Sequence, residues 1–204
     1  MAQKRCFLFG AGERCRLRTM PEPGELIVAA DGGQYFCSEI GVQPNLLVGD
    51  FDSSQRPELA CEVIELPVEK DETDTLHAVR LGLEQGCREF HIYGGTGGRL
   101  DHTLANLQTL LYIARHGGRG FLYDTNMTIT VIENAGLTIY GAHGLLSVFC
   151  LGDRAQGVYL RGVYYPLENA VLTPDYPLGV SNQAIADPVE IRVDQGALAV
   201  LWED

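Results

Sequence analysis

Residues 1–125 alternate short apolar runs with stretches in which apolar residues recur at the spacing of a helix. The apolar runs have the length of buried strands and are bounded by turn-forming residues, chiefly glycine, proline and aspartate. Strands that alternate with helices build a mostly parallel sheet with helices on both faces. The predicted strands lie in KRCFLFG, ELIVAAD, NLLVGD, EVIELP and EFHIYGG.

Two stretches predict helices most clearly, and both begin with aspartate. In DTLHAVRLGLEQG, Leu76, Val79 and Leu83 recur at helical spacing, and Gly86 is the predicted stop. A second helix is predicted in DHTLANLQTLLYIARHGG, with one apolar face. That predicted face consists of Leu104, Leu107, Leu111 and Ala114.

After Thr125 the pattern changes, and every segment resembles a short strand rich in β-branched or aromatic residues. The fold class is therefore α/β: a mostly parallel α/β sheet domain of residues 1–125, followed by a small all-β sandwich domain of residues 126–204. The strands of the second domain are predicted in MTITVIE, GLTIYG, GLLSVFCLG, GVYLRGVYYPL, NAVLTP, PVEIRVDQG and ALAVLWED.

Four chemically distinctive segments follow predicted strands. Ligands of open α/β sheets bind beyond the carboxyl ends of the strands, so the four segments are expected to meet in one site. They are Asp31–Gly33, Gly49–Ser53, Lys70–Asp74 and Gly94–His102.

The carboxylates in these segments predict a magnesium site. Extended backbone directs Asp50 and Asp52 to the same side and Phe51 to the other, and two close carboxylates repel unless a cation lies between them. Asp71 and Asp74 can share one face of the first turn of a helix. Mg²⁺ prefers such oxygen ligands. For Asp71, helix capping is an equally acceptable interpretation.

The segment GGTGGRLDH, Gly94–His102, predicts a phosphate site. Glycines let backbone N–H groups approach phosphate oxygens, and the helix that follows favours anions at its N-terminus. Arg99 adds a forked donor for a polyphosphate. The segment lacks the Lys-Ser/Thr ending of a Walker A loop, and Gly10 with Gly12 is only a fragment of a dinucleotide-binding fingerprint.

Composition narrows the class of protein. The formal net charge is −12 and the sequence pI is about 4.8, so nucleic-acid binding would lack its main electrostatic driving force. No apolar run is long enough to span a bilayer. The six cysteines are scattered without a C-x-x-C pair, which favours reduced thiols in a cytoplasmic protein.

In their order, D-G-G, G-D-F-D-S, K-D-x-T-D and G-G-R-x-D-H resemble the motifs of the thiamine pyrophosphokinase (thiamine diphosphokinase) family. The resemblance covers nearly the whole chain and includes a later Ser181-Asn182 pair. It implies transfer of the diphosphoryl group of ATP to thiamine, with release of AMP and with Mg²⁺ as cofactor.

The resemblance also implies roles for individual residues. The metal-binding carboxylates would be Asp50, Asp52 and Asp74, with Asp71 close by as ligand or in the surrounding shell. The same three aspartates and Arg99 would be catalytic. The ATP contacts would be Asp31, Gly32, Lys70, Asp71, Arg99, Asp101 and His102.

Members of that family are homodimers with active sites between subunits, so Ser181 and Asn182 are expected to complete the partner's thiamine pocket. Trp202 is interpreted instead as a packing residue of an edge strand. His77 and His91 are interpreted as structural residues, because they lie inside periodic elements.

Two other functions fit parts of the same pattern. One is a pyrophosphokinase acting on a pterin alcohol, which would not need an acidic acceptor pocket, whereas the thiazolium cation of thiamine is attracted to one. The other is a nucleotide-sensing module without turnover. A sensor has no need for several metal-binding carboxylates, so the full set favours an enzyme.

Overall fold

The computed structural model describes residues 3–50, 61–67 and 71–203. The chain divides into two compact units, Met1–Thr125 and Asn126–Asp204, which are called the first and second units below. The first is an α/β unit and the second consists of β-strands, so the predicted fold class is confirmed.

The first unit contains a parallel sheet. Its strands lie in the order β6-β5-β1-β2-β3-β4, and each neighbouring pair is parallel. All five predicted strands are present, and β6 is an additional one that the pattern did not predict. The strands are β1 (Arg5–Phe9), β2 (Leu26–Ala30), β3 (Leu46–Gly49), β4 (Glu62–Glu65), β5 (Glu89–Tyr93) and β6 (Arg119–Tyr123).

The described part of the first unit has three helices: α1 (Gly33–Glu39), α2 (Asp74–Glu84) and α3 (Leu100–Arg115). Thr73 caps α2, since its Oγ1 accepts a hydrogen bond from the Leu76 backbone N–H at 3.2 Å. The capping interpretation of Asp71 is therefore wrong. Gly86 lies just past α2 with φ of 84°, as the predicted stop requires.

The predicted apolar face of α3 is only partly buried, since Leu107, Leu111 and Ala114 are half-buried. Leu104 is 54% exposed, and the buried residues of the helix are Asn106, Thr109, Leu110 and Ile113. Two of these are polar, and their side chains donate to backbone carbonyls: Asn106 Nδ2 to Gly95 at 2.8 Å and Thr109 Oγ1 to Ala105 at 3.0 Å. Such partners allow polar groups to be buried, whereas apolar periodicity selects only the leucines.

An aromatic cluster packs on one face of the sheet, and His91 belongs to it. The His91 ring stacks on Phe7 with centroids 4.7 Å apart, and its Nδ1 lies 2.8 Å from the Tyr123 hydroxyl. Burial lowers the pKa of His91. His77 lies 2.7 Å from the carboxylate of Glu72. Both histidines therefore have structural partners, as predicted.

The second unit is antiparallel and is built around two long strands, β9 and β12. The C-terminal half of β12 pairs with β7 and with the first half of β9; its N-terminal half pairs with β8 and with the second half of β9. The strands are β7 (Met127–Glu133), β8 (Gly136–Ile139), β9 (His143–Arg161), β10 (Leu167–Leu172), β11 (Asn182–Gln183) and β12 (Val189–Glu203).

Two predictions about this unit are corrected. Four predicted strands are the halves of β9 and β12, because Gly152, Gly157 and Gly196, all with positive φ, let the chain continue through a bend instead of ending the strand. Trp202 is not on an edge strand, since β12 pairs on both sides at that position with Thr128 and Leu146.

Two further observations concern the whole described chain. All six cysteines are free thiols, and four of them are buried, as predicted. No helix among the described residues has both the length and the apolar character needed to cross a membrane.

Candidate functional site

A cleft of about 780 Å³ lies in the first unit, where the parallel strands end. Residues from all four predicted segments line it, which confirms that these segments meet. The predicted site residues in its lining are Asp31, Gly32, Asp50, Asp74, Arg99 and His102.

Asp31 and Asp50 follow the neighbouring strands β2 and β3. The Asp31 backbone N–H donates to the Val48 carbonyl at 2.8 Å, which carries the strand pairing to the edge of the cleft. A Cβ at Gly49 would lie only 2.7 Å from Asp31 Oδ1. Glycine at this position therefore leaves room for the Asp31 carboxylate beside Asp50.

Asp74 lies at the first residue of α2, and the cleft is lined here by Thr73, Asp74 and Thr75. Thr73, not Asp74, provides the side-chain cap of the helix. A carboxylate at this position is also stabilised by the helix dipole.

The segment Gly94–His102, called the glycine segment below, packs against the end of β1. The Gly12 N–H donates to the Gly94 carbonyl at 2.8 Å, and a Cβ on Gly12 would lie 2.4 Å from the Thr96 carbonyl oxygen. Gly94 has φ of 65°, a conformation that favours glycine. Gly10 and Gly12 thus permit close backbone packing around the cleft, although in the sequence they form only a fragment of a dinucleotide-binding fingerprint.

Arg99 and Asp101 form a bidentate ion pair at the surface. Arg99 Nη2 lies 2.5 Å from Asp101 Oδ2, and Arg99 Nε lies 3.1 Å from Oδ1. The hydrogen bond from Arg99 lowers the pKa of Asp101. The side chains are 74% and 63% exposed, and only Arg99 is part of the cleft lining.

Asn106 is a cleft residue that the sequence analysis missed, and Thr96 lies in the predicted Gly94–His102 segment without having been singled out. They line the cleft although they are only 6% and 5% exposed. Thr96 Oγ1 donates to Asp124 Oδ1 at 2.8 Å, at the end of β6. Asn106 was missed because it lies among the apolar positions of a helix, where periodicity gives no weight to a polar side chain.

The remaining predicted site residues that the structure describes do not line this cleft. Asp52 and Lys70 lie outside the described residues, and Asp71 is exposed without lining the cleft. Ser181 is an exposed residue of the second unit with φ of 58°. Asn182 is buried, and its amide bonds the backbone N–H and carbonyl of Tyr165 at 2.9 and 2.7 Å. Their roles toward substrate remain predictions.

A parallel α/β unit with carboxylates, a glycine segment and an arginine at its strand ends is typical of enzymes that bind a nucleotide and transfer its phosphoryl groups. Residues 18–121 match the family model described as "Thiamin pyrophosphokinase, catalytic domain", and residues 127–198 match "Thiamin pyrophosphokinase, vitamin B1 binding domain". The chain belongs to the thiamin pyrophosphokinase family, the enzymes that transfer the diphosphoryl group of ATP to thiamine.

Individual relatives agree with this assignment. The thiamine pyrophosphokinase of Bacillus subtilis (strain 168) is 29% identical over 184 residues, which cover 86% of each chain. The crystal structure of thiamin pyrophosphokinase from Geobacillus thermodenitrificans superposes with a TM-score of 0.85 at 26% identity, covering 98% of this chain and 97% of that one. The structure of the Bacillus subtilis enzyme gives 0.87 at 24% identity, with coverage of 98% and 99%. The predicted family and enzyme class are confirmed, and the pterin and sensor alternatives gain no support.

Proposed function

We propose that the first unit binds ATP with Mg²⁺ in the cleft, and that the second unit supplies the thiamine-binding surface of a neighbouring subunit in a cytoplasmic homodimer. The observation that carries the proposal is the convergence of Asp31, Asp50, Asp74 and Arg99 with the glycine segment in one cleft. Release of AMP from ATP, measured with and without thiamine, tests it. AMP should form only when thiamine is present.

The cleft residues fit magnesium. Among residues 3–50, 61–67 and 71–203, no three His, Cys, Asp or Glu side chains gather into a ready metal cage. Mg²⁺ does not need one, because it commonly uses one or two protein carboxylates, with substrate phosphates and water completing its shell. Asp50 and Asp74 supply two such carboxylates. Asp52 and Asp71 are further predicted ligands. Bound there, the ion would neutralise charge on the transferring phosphates.

The remaining cleft residues bind and orient the nucleotide. Backbone N–H groups of the glycine segment and the N-terminus of α3 favour phosphate oxygens. Arg99 stands at that N-terminus as the N-cap residue, where its guanidinium can exchange Asp101 for a phosphate. Phosphoryl transfer needs such positioning and charge neutralisation more than covalent chemistry from the protein.

Arg99→Lys tests this role. A lysine point charge does not reproduce a bidentate guanidinium contact, so we expect diphosphoryl transfer to slow by roughly tenfold or more. Thiamine affinity should change little. Steady-state kinetics for ATP and equilibrium binding of thiamine provide the two measurements.

Arg161→Lys is the matched control, since Arg161 forms an exposed ion pair with Glu168 at 3.3 Å in the second unit. Exposed pairs of this kind contribute roughly 0–1 kcal/mol and tolerate lysine. If Arg99→Lys had the kinetics of wild type, Arg99–Asp101 would be an exposed ion pair like Arg161–Glu168, and Arg99 would have no role in phosphate binding.

The homodimer is supported by exposed apolar surface next to Asn182. Tyr164 and Tyr165 are 61% and 64% exposed and contact each other edge to face, while Ile185 is 64% exposed. Asn182 binds the backbone of Tyr165, and the Tyr164 N–H donates to the Gln183 carbonyl. Clustered apolar side chains of this kind mark interaction surfaces, and Ser181 precedes Asn182 in the chain.

Mixing two inactive chains tests whether the sites are shared. Asp50→Asn removes the first-unit contribution and Asn182→Ala the second-unit contribution. In a heterodimer one of the two shared sites keeps both native contributions, so random exchange should restore about a quarter of wild-type activity. Mass spectrometry of differently tagged chains verifies the exchange. No recovery after verified exchange would mean that each site is built within one chain.

A further inference from the structure

Asn106 presents a hydrogen-bond acceptor of fixed direction to the cleft. Its Nδ2 donates to the Gly95 carbonyl at 2.8 Å. A carbonyl oxygen only accepts, so the nitrogen of the amide must face Gly95 and the oxygen must face away. Turning the amide over would bring two acceptors together. The Asn106 side chain therefore has one stable polarity.

The acceptor atom, Asn106 Oδ1, has no hydrogen-bond partner among the described residues. Among the described residues, the side-chain atoms that are both fully buried and without a hydrogen-bond partner belong to Gln34, and Asn106 Oδ1 is not one of them. Asn106 Oδ1 therefore keeps some exposed area, and its residue lines the cleft. In a residue that is only 5% exposed, an amide with a bonded nitrogen and an unpaired oxygen points to a ligand contact.

The surroundings hold Asn106 in place. A Cβ on Gly95 would lie 2.9 Å from Asn106 Nδ2 and 2.6 Å from Leu122 Cδ1. Glycine at position 95 is thus required for the amide to lie where it does. Thr96, the next residue along, is tied to Asp124 through its hydroxyl.

Deprotonated phosphate oxygens are acceptors themselves and cannot pair with Asn106 Oδ1, so a substrate would meet this oxygen through a hydrogen-bond donor, a hydroxyl or an amino group. Both substrates of the proposed function, on which this inference rests, carry an exocyclic amino group on a heterocycle: adenine in ATP and the aminopyrimidine in thiamine. We propose that Asn106 Oδ1 accepts a hydrogen bond from such an amino group and makes the enzyme select an amino-substituted heterocycle over its oxo counterpart.

The test compares substrate pairs that differ in this one group. For the nucleotide, ATP is compared with inosine triphosphate; for the acceptor, thiamine is compared with oxythiamine, which carries oxygen in place of the 4′-amino group. The wild type should prefer the amino form in at least one pair, and Asn106→Leu should lower that preference in kcat/KM by about tenfold or more. Because each preference is a ratio within one protein, loss of folded enzyme cancels.

Thr109→Val is the matched control, since Thr109 is buried on the same helix but does not line the cleft. The substrate preferences of this variant should equal those of wild type.

Asn106→Ser serves as a second variant if Asn106→Leu does not fold. A lost preference for ATP alone assigns the amino group of adenine, and a lost preference for thiamine alone assigns the aminopyrimidine. Unchanged ratios in both pairs, or a wild type without preference, overturn the inference. Failure of the wild type to form AMP from ATP and thiamine would instead refute the proposed function.

Discussion

Asp50→Asn should reduce formation of thiamine diphosphate by a hundredfold or more while leaving the fold intact. The substitution removes a negative charge from the end of β3 but keeps the volume of the side chain. Loss of one electrostatic contact made in the transition state costs roughly 2.7–4 kcal/mol. The measurement is kcat at saturating ATP and thiamine across a magnesium titration, with circular dichroism to confirm folding.

Asp153→Asn provides the control, because Asp153 is an exposed aspartate on β9 without a predicted role. It undergoes the same loss of charge outside the cleft and should retain wild-type kinetics. If Asp50→Asn turned over at nearly the native rate throughout the magnesium titration, the assignment of Asp50 as a metal ligand would be wrong.

The meeting of Asp31, Asp50 and Asp74 could be predicted from sequence because it follows from topology. Parallel strands bring their carboxyl ends to one edge, so residues far apart in the chain share a site whenever each follows a strand. Asn106 could not be found this way. Its position depends on the Gly95 carbonyl, a partner that no periodicity encodes.

The errors in the fold have a similar origin. A glycine in an apolar run is compatible both with the end of a strand and with a bend inside it, and only cross-strand pairing distinguishes the two. At Gly196 the pairing of β12 with β9 continues on both sides of a register shift, so the strand bends and does not end. The short helix α1 was missed because it opens at Gly33 and spans only seven residues, too few for an apolar face to repeat.

Gly33 shows how a motif that was interpreted as functional also has a packing role. It lies in the Asp31–Gly33 segment, yet a Cβ at this position would lie 1.7 Å from the Phe9 carbonyl oxygen and 2.4 Å from its carbon. Both atoms belong to the backbone of β1, so no side-chain rotation can relieve the overlap. The first turn of α1 can approach β1 this closely only with glycine.

Gly33→Ala should therefore destabilise the first unit by roughly 3 kcal/mol or more, because α1 must move away from the sheet to admit one methyl group. For a chain of this size that corresponds to a fall in Tm on the order of 10 °C. All helices described lie in the first unit, so the helical signal in far-UV circular dichroism follows the unfolding of that unit.

Gly98→Ala is the control, since a Cβ there meets no atom within 4 Å, and the Tm of this variant should remain near that of wild type. Equal melting of the two variants would show that α1 can shift at little cost, and the close approach to Phe9 would then not explain the glycine.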